Sequence, residues 1–147
     1  MKASILSFAL FVAFTKASPS ARPANIEMNN AITNLGYNGE GVTAKVFPNQ
    51  GSSTIPLYRM YNPKVIDHFY TTSYSEVQNA AANDGYTYEE IAAYVYSTNI
   101  CGSIALYRLY SSAGTDHFYT TSASEASNAV AQDGYTLEGV AAYVLPA

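Results

Sequence analysis

Two stretches of the chain share one alternation of apolar and polar positions. In residues 57–72 the run LYRMY is followed by the turn-forming pair Asn62-Pro63 and then by HFYTT. In residues 106–121 the run LYRLY, the turn residues SSAG and a second HFYTT follow in the same order. Alternating β-formers on both sides of a turn predict a β-hairpin in each stretch.

A helix is predicted after each hairpin. Ser73 and Ser122 each have a glutamate three residues later, Glu76 and Glu125, as in a capping box. The predicted buried stripes are Val77, Ala80 and Ala81 in the first helix and Ala126, Ala129 and Val130 in the second.

A glycine and a third strand complete each stretch. Gly85 and Gly134 stand where a left-handed helix end is expected. Residues 91–96 and 140–145 are apolar runs that predict strands. Each stretch therefore reads strand, strand, helix, strand.

The two stretches are copies at a step of 49 residues. Residues 57–96 align with residues 106–145 without a gap and with 25 identities in 40 positions, and residues 27–47 align with residues 76–96 with nine in 21. The chain is thus two full units, 55–98 and 104–147, and a half unit, 26–49. We expect an α+β fold class, with these tandem ββαβ units packed as one small domain over residues 26–147.

The N-terminus has the pattern of a secretory leader. After Lys2, residues 3–14 are almost wholly apolar, and small residues follow up to Ser18. This predicts a signal peptide at residues 1–17, which is too short for a membrane span, and then a short flexible segment at 18–25. We therefore expect a secreted, extracellular protein.

The charge of the chain limits its partners. The whole sequence has seven basic and eleven acidic residues, and loss of Lys2 and Lys16 would change the net charge from −4 to −6. No basic run is present, so we expect no nucleic-acid partner and no membrane partner. No cofactor or metal motif stands out, and none is predicted.

Cys101 is the only cysteine, so an intrachain disulfide is impossible. The simplest expectation is a buried, inert side chain, because free cysteine behaves as a small hydrophobe. Pairing between molecules or a reactive thiol is the alternative.

The heptad DHFYTTS stands at residues 67–73 and again at 116–122, and it contains both histidines of the chain. It is either a structural joint that each unit needs or a binding site present twice. Neighbours on a strand point to opposite faces, so the adjacent Asp and His cannot couple within one strand unless a bulge intervenes. A metal site would require the two heptads to meet, and no ligand spacing supports one.

Tyrosine is the strongest compositional signal, with fourteen tyrosines and no tryptophan. Sugar faces stack on aromatic rings, and sugar hydroxyls bond to charged and polar side chains. The residues that could line two equivalent binding sites are Arg59, Tyr61, Asp67, His68 and Tyr70 with Arg108, Tyr110, Asp116, His117 and Tyr119. Alternatively the tyrosines are core residues. No catalytic residue is predicted, because no nucleophile elbow surrounds Thr71, Thr72 and Ser73.

The motifs LYR-x-Y, DHFYTTS, S-x-x-E and GYT-x-E-G-x-AAYV resemble the tandem repeat of unknown function of small secreted fungal proteins and of bacterial cell-wall-associated proteins. The resemblance implies about three units in one domain and an extracellular location. It implies no activity. We expect a non-catalytic module that binds a glycan or cell-wall polymer; an extracellular protein-interaction or structural protein, or a small effector, is the alternative.

Overall fold

The computed structural model describes the backbone of residues 12–14 and the whole of residues 44–147. Of these residues, 50% are in strands and 19% in two helices. The elements are β1 (Val12–Phe14), β2 (Ala44–Val46), β3 (Thr54–Asn62), β4 (Asp67–Thr71), α1 (Tyr74–Asn83), β5 (Thr87–Tyr96), β6 (Ile104–Ser111), β7 (Asp116–Thr120), α2 (Ala123–Gln132) and β8 (Thr136–Pro146). Neither described helix has the length and apolar character to cross a membrane.

The strands form one curled sheet that resembles half of a barrel. Its order is β1-β2-β8-β5-β3-β4, and the β6–β7 hairpin joins it through β8. All pairings are antiparallel except that of β1 with β2. The last strand, β8, pairs with β2 of the half unit and with β5 of the first full unit. The units therefore share one sheet.

The predicted α+β class is wrong: the protein is mostly β, without a clear arrangement of ββαβ repeats. The helices are only ten residues each. The strands that follow them begin at Thr87 and Thr136, earlier than the predicted residues 91 and 140. These polar starts are in strands because β3 and β6 continue to pair with them past irregularities in register.

The two hairpins repeat one register at the 49-residue step. Tyr61 pairs with His68 in the first, and Tyr110 pairs with His117 in the second. The positive-φ residue before each aspartate also recurs, Ile66 at 58° and Thr115 at 51°. The two copies of the heptad therefore begin from the same backbone geometry.

The central core draws equivalent residues from three strands. Alanine and valine two positions apart point inward from β2, β5 and β8, and they pack with leucines and tyrosines of the hairpins. The buried members are Ala44, Val46, Leu57, Tyr70, Ala93, Val95, Leu106, Tyr119, Ala142 and Val144. The last strand of the half unit thus lies in the same core as the full units. Residues 26–43 of the half unit and the predicted flexible segment 18–25 lie outside the described residues, as does the predicted leader apart from the backbone of β1.

At each helix N-terminus, only one of the two hydrogen bonds of the predicted capping box forms. Ser73 Oγ accepts from the Glu76 amide at 3.3 Å, and Ser122 Oγ accepts from the Glu125 amide at 3.2 Å. The serine amides instead donate to threonine hydroxyls, which leaves the glutamate carboxylates available for other bonds. The glutamate half of the predicted capping box is therefore not formed.

The helices contact the sheet along a narrower face than predicted. Their buried residues are Val77 and Ala80 in α1 and Ala126 and Ala129 in α2. Ala81 and Val130 are exposed, because each ten-residue helix contacts the sheet only through the residues at positions i and i+3 of its apolar stripe. Each helix thereby forms a small separate core. Val77 and Ala80 pack with Met60 and Phe69, and the residues of α2 pack with Leu109 and Phe118.

Two loop predictions have opposite outcomes. Gly85 and Gly134 have φ of +77° and +75° at the helix ends, which confirms the left-handed geometry. Cys101 is exposed, and the expectation of a buried thiol is wrong. The cysteine lies in the turn between β5 and β6, with φ of 55°, and not on a strand of the core.

Candidate functional site

The two heptads meet in space across the boundary between the units. The Asp67 carboxylate accepts from the His117 backbone amide at 2.9 Å, contacts His117 Nδ1 at 2.6 Å and accepts from the Tyr86 hydroxyl. Asp67 is 1% exposed. The aspartate of the first heptad therefore couples to the histidine of the second, and not to its own neighbour.

His117 is enclosed by aromatic rings. Phe69 lies 4.9 Å and Tyr110 4.7 Å from the imidazole, centroid to centroid. Its Nε2 atom lies 3.7 Å from Glu138 Oε2, and its side chain is 10% exposed. Contacts with aromatic rings and a carboxylate on Nδ1 fix the orientation of the imidazole, as expected for a structural joint.

Arg108 makes a second bridge between the units. Its Nη1 and Nη2 atoms donate to the two oxygens of Glu76 at 3.1 and 2.8 Å, and Nε lies 2.7 Å from Glu138 Oε2. The guanidinium also lies 5.0 Å from the centre of the Phe69 ring. Partial burial opposes ionisation of Glu76, but hydrogen bonds from Arg108 and Thr71 outweigh it and lower the pKa of Glu76. We call Asp67, Glu76, Arg108 and His117 the junction.

We call residues 55–98 unit 1 and residues 104–147 unit 2. The same residue types have different partners in unit 1. Arg59 Nε lies 2.9 Å from Glu89 Oε2, and Arg59 Nη2 lies 2.9 Å from His68 Nε2. The Tyr61 ring packs against the His68 ring at a tilt, with 4.5 Å between the ring centroids. Burial, and then the positive charge of Arg59, lower the pKa of His68 to about 4. His68 is therefore neutral at pH 7, with Nε2 as an acceptor for Arg59.

Tyr70 and Tyr119 lie in the central core, so their rings are not available to a ligand on the surface. The Tyr119 hydroxyl donates to the Tyr70 carbonyl at 2.9 Å and accepts from the Tyr70 amide at 2.8 Å. One side chain thus satisfies both outward backbone groups of β4 at this position.

Asp116 directly precedes His117 on β7, but among the described residues its carboxylate has no hydrogen bond to a junction side chain. It accepts from the Tyr135 hydroxyl at 2.6 Å. Burial raises the pKa of Asp116, against the opposing effect of this hydrogen bond. The structure therefore brings Asp67, Arg108, Tyr110 and His117 together, but it does not assemble two equivalent sets. Within residues 44–147, no three His, Cys, Asp or Glu side chains are placed to hold a metal ion.

A surface group that the repeat comparison did not select lies on unit 1. Tyr58 and Tyr74 have ring centroids 5.5 Å apart, and Tyr58 and Tyr88 have centroids 6.3 Å apart. Tyr74 is 58% exposed and Tyr88 is 45% exposed. We call these three residues the tyrosine cluster. Its sequence signal is a difference between the units, because Ala123 and Leu137 replace Tyr74 and Tyr88 in unit 2.

These features define a small, mostly β domain of two related units, which are joined by buried polar bridges and carry an exposed aromatic group on one unit. The chain belongs to the family described as a domain of unknown function (DUF5648), whose family model matches residues 23–145. Comparisons with curated proteins and with solved structures gave no match.

Proposed function

We propose that this protein is a secreted, non-catalytic binding module that recognises carbohydrate through the tyrosine cluster. The observation that carries the proposal is the grouping of three neighbouring tyrosine rings, of which Tyr74 and Tyr88 are exposed at the surface. Exposed aromatic groups of this kind mark binding surfaces, since their burial by a ligand is favourable. Tyrosine suits sugars because it offers an apolar face and a hydroxyl.

The tilt of the rings favours one type of glycan. The planes of Tyr58 and Tyr74 meet at 58°, and those of Tyr58 and Tyr88 meet at 61°. A flat crystalline polysaccharide surface cannot stack on rings so strongly inclined to each other. The cluster instead suits a soluble oligosaccharide or a single twisted chain, whose successive sugar faces turn relative to one another.

Polar groups beside the rings could bind sugar hydroxyls. Limited desolvation, and then Tyr58, Tyr74 and Glu90, raise the pKa of Tyr88, so its phenol remains a hydrogen-bond donor at neutral pH. The Glu90 side chain is 57% exposed and offers an acceptor nearby. Together these groups provide the stacking and hydrogen bonding that sugar recognition requires.

Secretion is part of the same proposal. It is supported by the leader-like pattern at residues 1–17 and by the resemblance to secreted fungal proteins and bacterial wall-associated proteins. An extracellular module would meet cell-wall or surface glycans directly.

The first test is a panel of soluble oligosaccharides, followed by titration calorimetry with any that bind. The double variant Tyr74→Ala, Tyr88→Leu gives unit 1 the residues that unit 2 already has, so the fold should tolerate it. We expect binding at least about tenfold weaker, a change of roughly 1.4 kcal/mol. An unchanged affinity, or no binding of any glycan by the wild type, would refute the proposal.

The second test transfers the cluster. Ala123→Tyr with Leu137→Tyr rebuilds it in unit 2, beside Tyr107, at positions that are exposed. The number of bound ligands should rise from one in the wild type to two. A wild-type stoichiometry of two would instead favour the Arg, His and Tyr sets predicted from the sequence.

A further inference from the structure

The charged residues on the elements that carry the tyrosine cluster are mostly acidic. The cluster lies on β3, α1 and β5, and Arg59 is the one basic residue on these three elements. Their acidic residues are Glu76, Glu89 and Glu90. Over residues 44–147, nine acidic residues stand against four basic ones. A ligand of the cluster therefore approaches a surface of net negative charge.

Glu90 is the carboxylate of this set whose charge is least neutralised. Glu76 receives two hydrogen bonds from Arg108, and Glu89 Oε2 lies 2.9 Å from Arg59 Nε. Glu90 Oε1 lies 3.6 Å from Arg59 Nη1, and the Glu90 side chain is 57% exposed. An exposed ion pair of this length is weak, so Glu90 presents most of its negative charge to the solvent.

The charge of Glu90 acts on the tyrosine cluster. Glu90 follows Tyr88 by two positions on β5. Limited desolvation, then Tyr58 and Tyr74, and then the Glu90 carboxylate raise the pKa of the Tyr88 phenol. Glu90 therefore adds a negative potential at the exposed rings, and it does so without having to touch the ligand.

Glu90 also differs between the units together with the exposed tyrosines. The equivalents of Tyr74, Tyr88 and Glu90 in unit 2 are Ala123, Leu137 and Gly139. The two exposed rings and the carboxylate thus occur together in unit 1 and are replaced together in unit 2. This distribution is expected if the three side chains act on the same ligand.

Aromatic rings beside a carboxylate favour a positively charged ligand. The face of a tyrosine ring carries negative partial charge and attracts cations. The same potential disfavours sugars that carry carboxylates, which arginine would ordinarily bind. Arg59 is already paired with Glu89. Among common sugars, those with a free amine carry the positive charge that this surface complements.

We propose that the ligand of the tyrosine cluster is a glycan that contains amino sugars with free, protonated amines. The tyrosine rings stack on the sugar faces, and the field of Glu90 attracts the amines and repels uronic acids. Glu90 is thereby a specificity-determining residue. This inference rests on the proposed function, because it assigns the chemical class of the glycan that the cluster binds.

The test compares three soluble oligosaccharides of equal length and linkage by titration calorimetry at about pH 6, where amines are protonated and glutamate is ionised. They are built from glucosamine, from N-acetylglucosamine and from glucuronic acid. We expect the glucosamine form to bind at least about fivefold tighter than the N-acetylated form, and the glucuronic acid form to bind more weakly than either. Added salt should reduce the preference for glucosamine.

The variant Glu90→Gln removes the charge with little change in shape. It should weaken binding of the glucosamine form about threefold and leave binding of the N-acetylated form unchanged. Asp133→Asn removes one negative charge from an exposed position in unit 2 and is the matched control, which should bind as the wild type does. Equal affinities for the glucosamine and N-acetylated forms, or no effect of Glu90→Gln, would overturn this inference and leave glycan binding intact.

A second control separates recognition from general attraction of a polycation to an acidic protein. The Tyr74→Ala, Tyr88→Leu variant keeps every charge, so it should still attract amines but lose the stacking platform. Undiminished binding of the glucosamine form by this variant would overturn the inference. If the wild type binds none of the oligosaccharides, the proposed function itself fails and this inference fails with it.

Discussion

Asp67 and Asp116 occupy the same position of the repeated heptad. The structure nevertheless predicts that their replacement by alanine lowers the free energy of unfolding by very different amounts. Asp67 is 1% exposed and receives the His117 amide, the His117 imidazole and the Tyr86 hydroxyl. Asp116 receives the Tyr135 hydroxyl alone among the described residues. Asp67→Ala strands buried donors, whereas Asp116→Ala removes one hydrogen bond at a half-buried position.

The magnitudes follow from these contacts. Each buried donor that is left without its acceptor costs about 1–3 kcal/mol, and Asp67→Ala removes the acceptor of three donors. Loss of a single hydrogen bond costs about 1 kcal/mol. Because a domain of this size has a total stability of about 5–15 kcal/mol, Asp67→Ala should leave a folded but fragile protein.

The assay is urea unfolding of both alanine variants, with coincident fluorescence and circular dichroism transitions as the check on two-state behaviour. A double-mutant cycle with His117→Ala should give a coupling energy above about 1 kcal/mol for Asp67. The corresponding cycle of Asp116 with His68→Ala should give none. Equal losses for the two aspartates, or equal couplings, would refute the assignment of the junction.

Two further predictions concern pH and backbone strain. The pKa of His68 is lowered from 6.5 to about 4, so between these pH values the unfolded chain binds a proton that the folded chain does not. The free energy of unfolding should therefore fall by up to about 3 kcal/mol as the pH drops through that window. His68→Gln should remove this part of the pH dependence of the urea midpoint, and an unaltered profile would contradict the prediction. Ile66 is 54% exposed with φ of 58°, a conformation costly for a β-branched residue. Ile66→Asn should raise the free energy of unfolding by about 1 kcal/mol, and the neighbouring control Val65→Asn should not; equal effects would rule out strain as the cause.

Local structure was largely predictable from the sequence because its signals are local. The hairpins, the serine caps and the left-handed glycines depend on residues a few positions apart. The fold class was not predictable in the same way. One helix per unit suggested α+β, but the strands after the helices extend over Thr87 and Thr136 by pairing with distant strands.

The partners in the junction were beyond the reach of sequence patterns. Asp67 and His117 are 50 positions apart, and nothing in two identical heptads tells which aspartate meets which histidine. The prediction did exclude coupling within one strand, and the observed pair lies between strands. The joint interpretation describes the Asp67–His117 contact well, while ligand binding by the ten predicted residues stays a prediction.

The tyrosine cluster was missed for a different reason. A search for recurrence selects positions that agree between units, and Tyr74 and Tyr88 are positions that differ. In a duplicated chain, the shared residues are those that the joint requires. A surface feature that only one unit carries is found only at positions where the two units differ.

The bond between the Tyr119 hydroxyl and the Tyr70 backbone has a consequence for behaviour at high concentration. β4 ends the described sheet order, and an unpaired edge strand invites aggregation by strand addition. The hydroxyl occupies both outward backbone groups at Tyr70, so a foreign strand cannot pair there without first displacing a buried side chain. We therefore expect this phenol oxygen to hinder strand addition at Tyr70, a task for which other β proteins use charges, prolines or bulges.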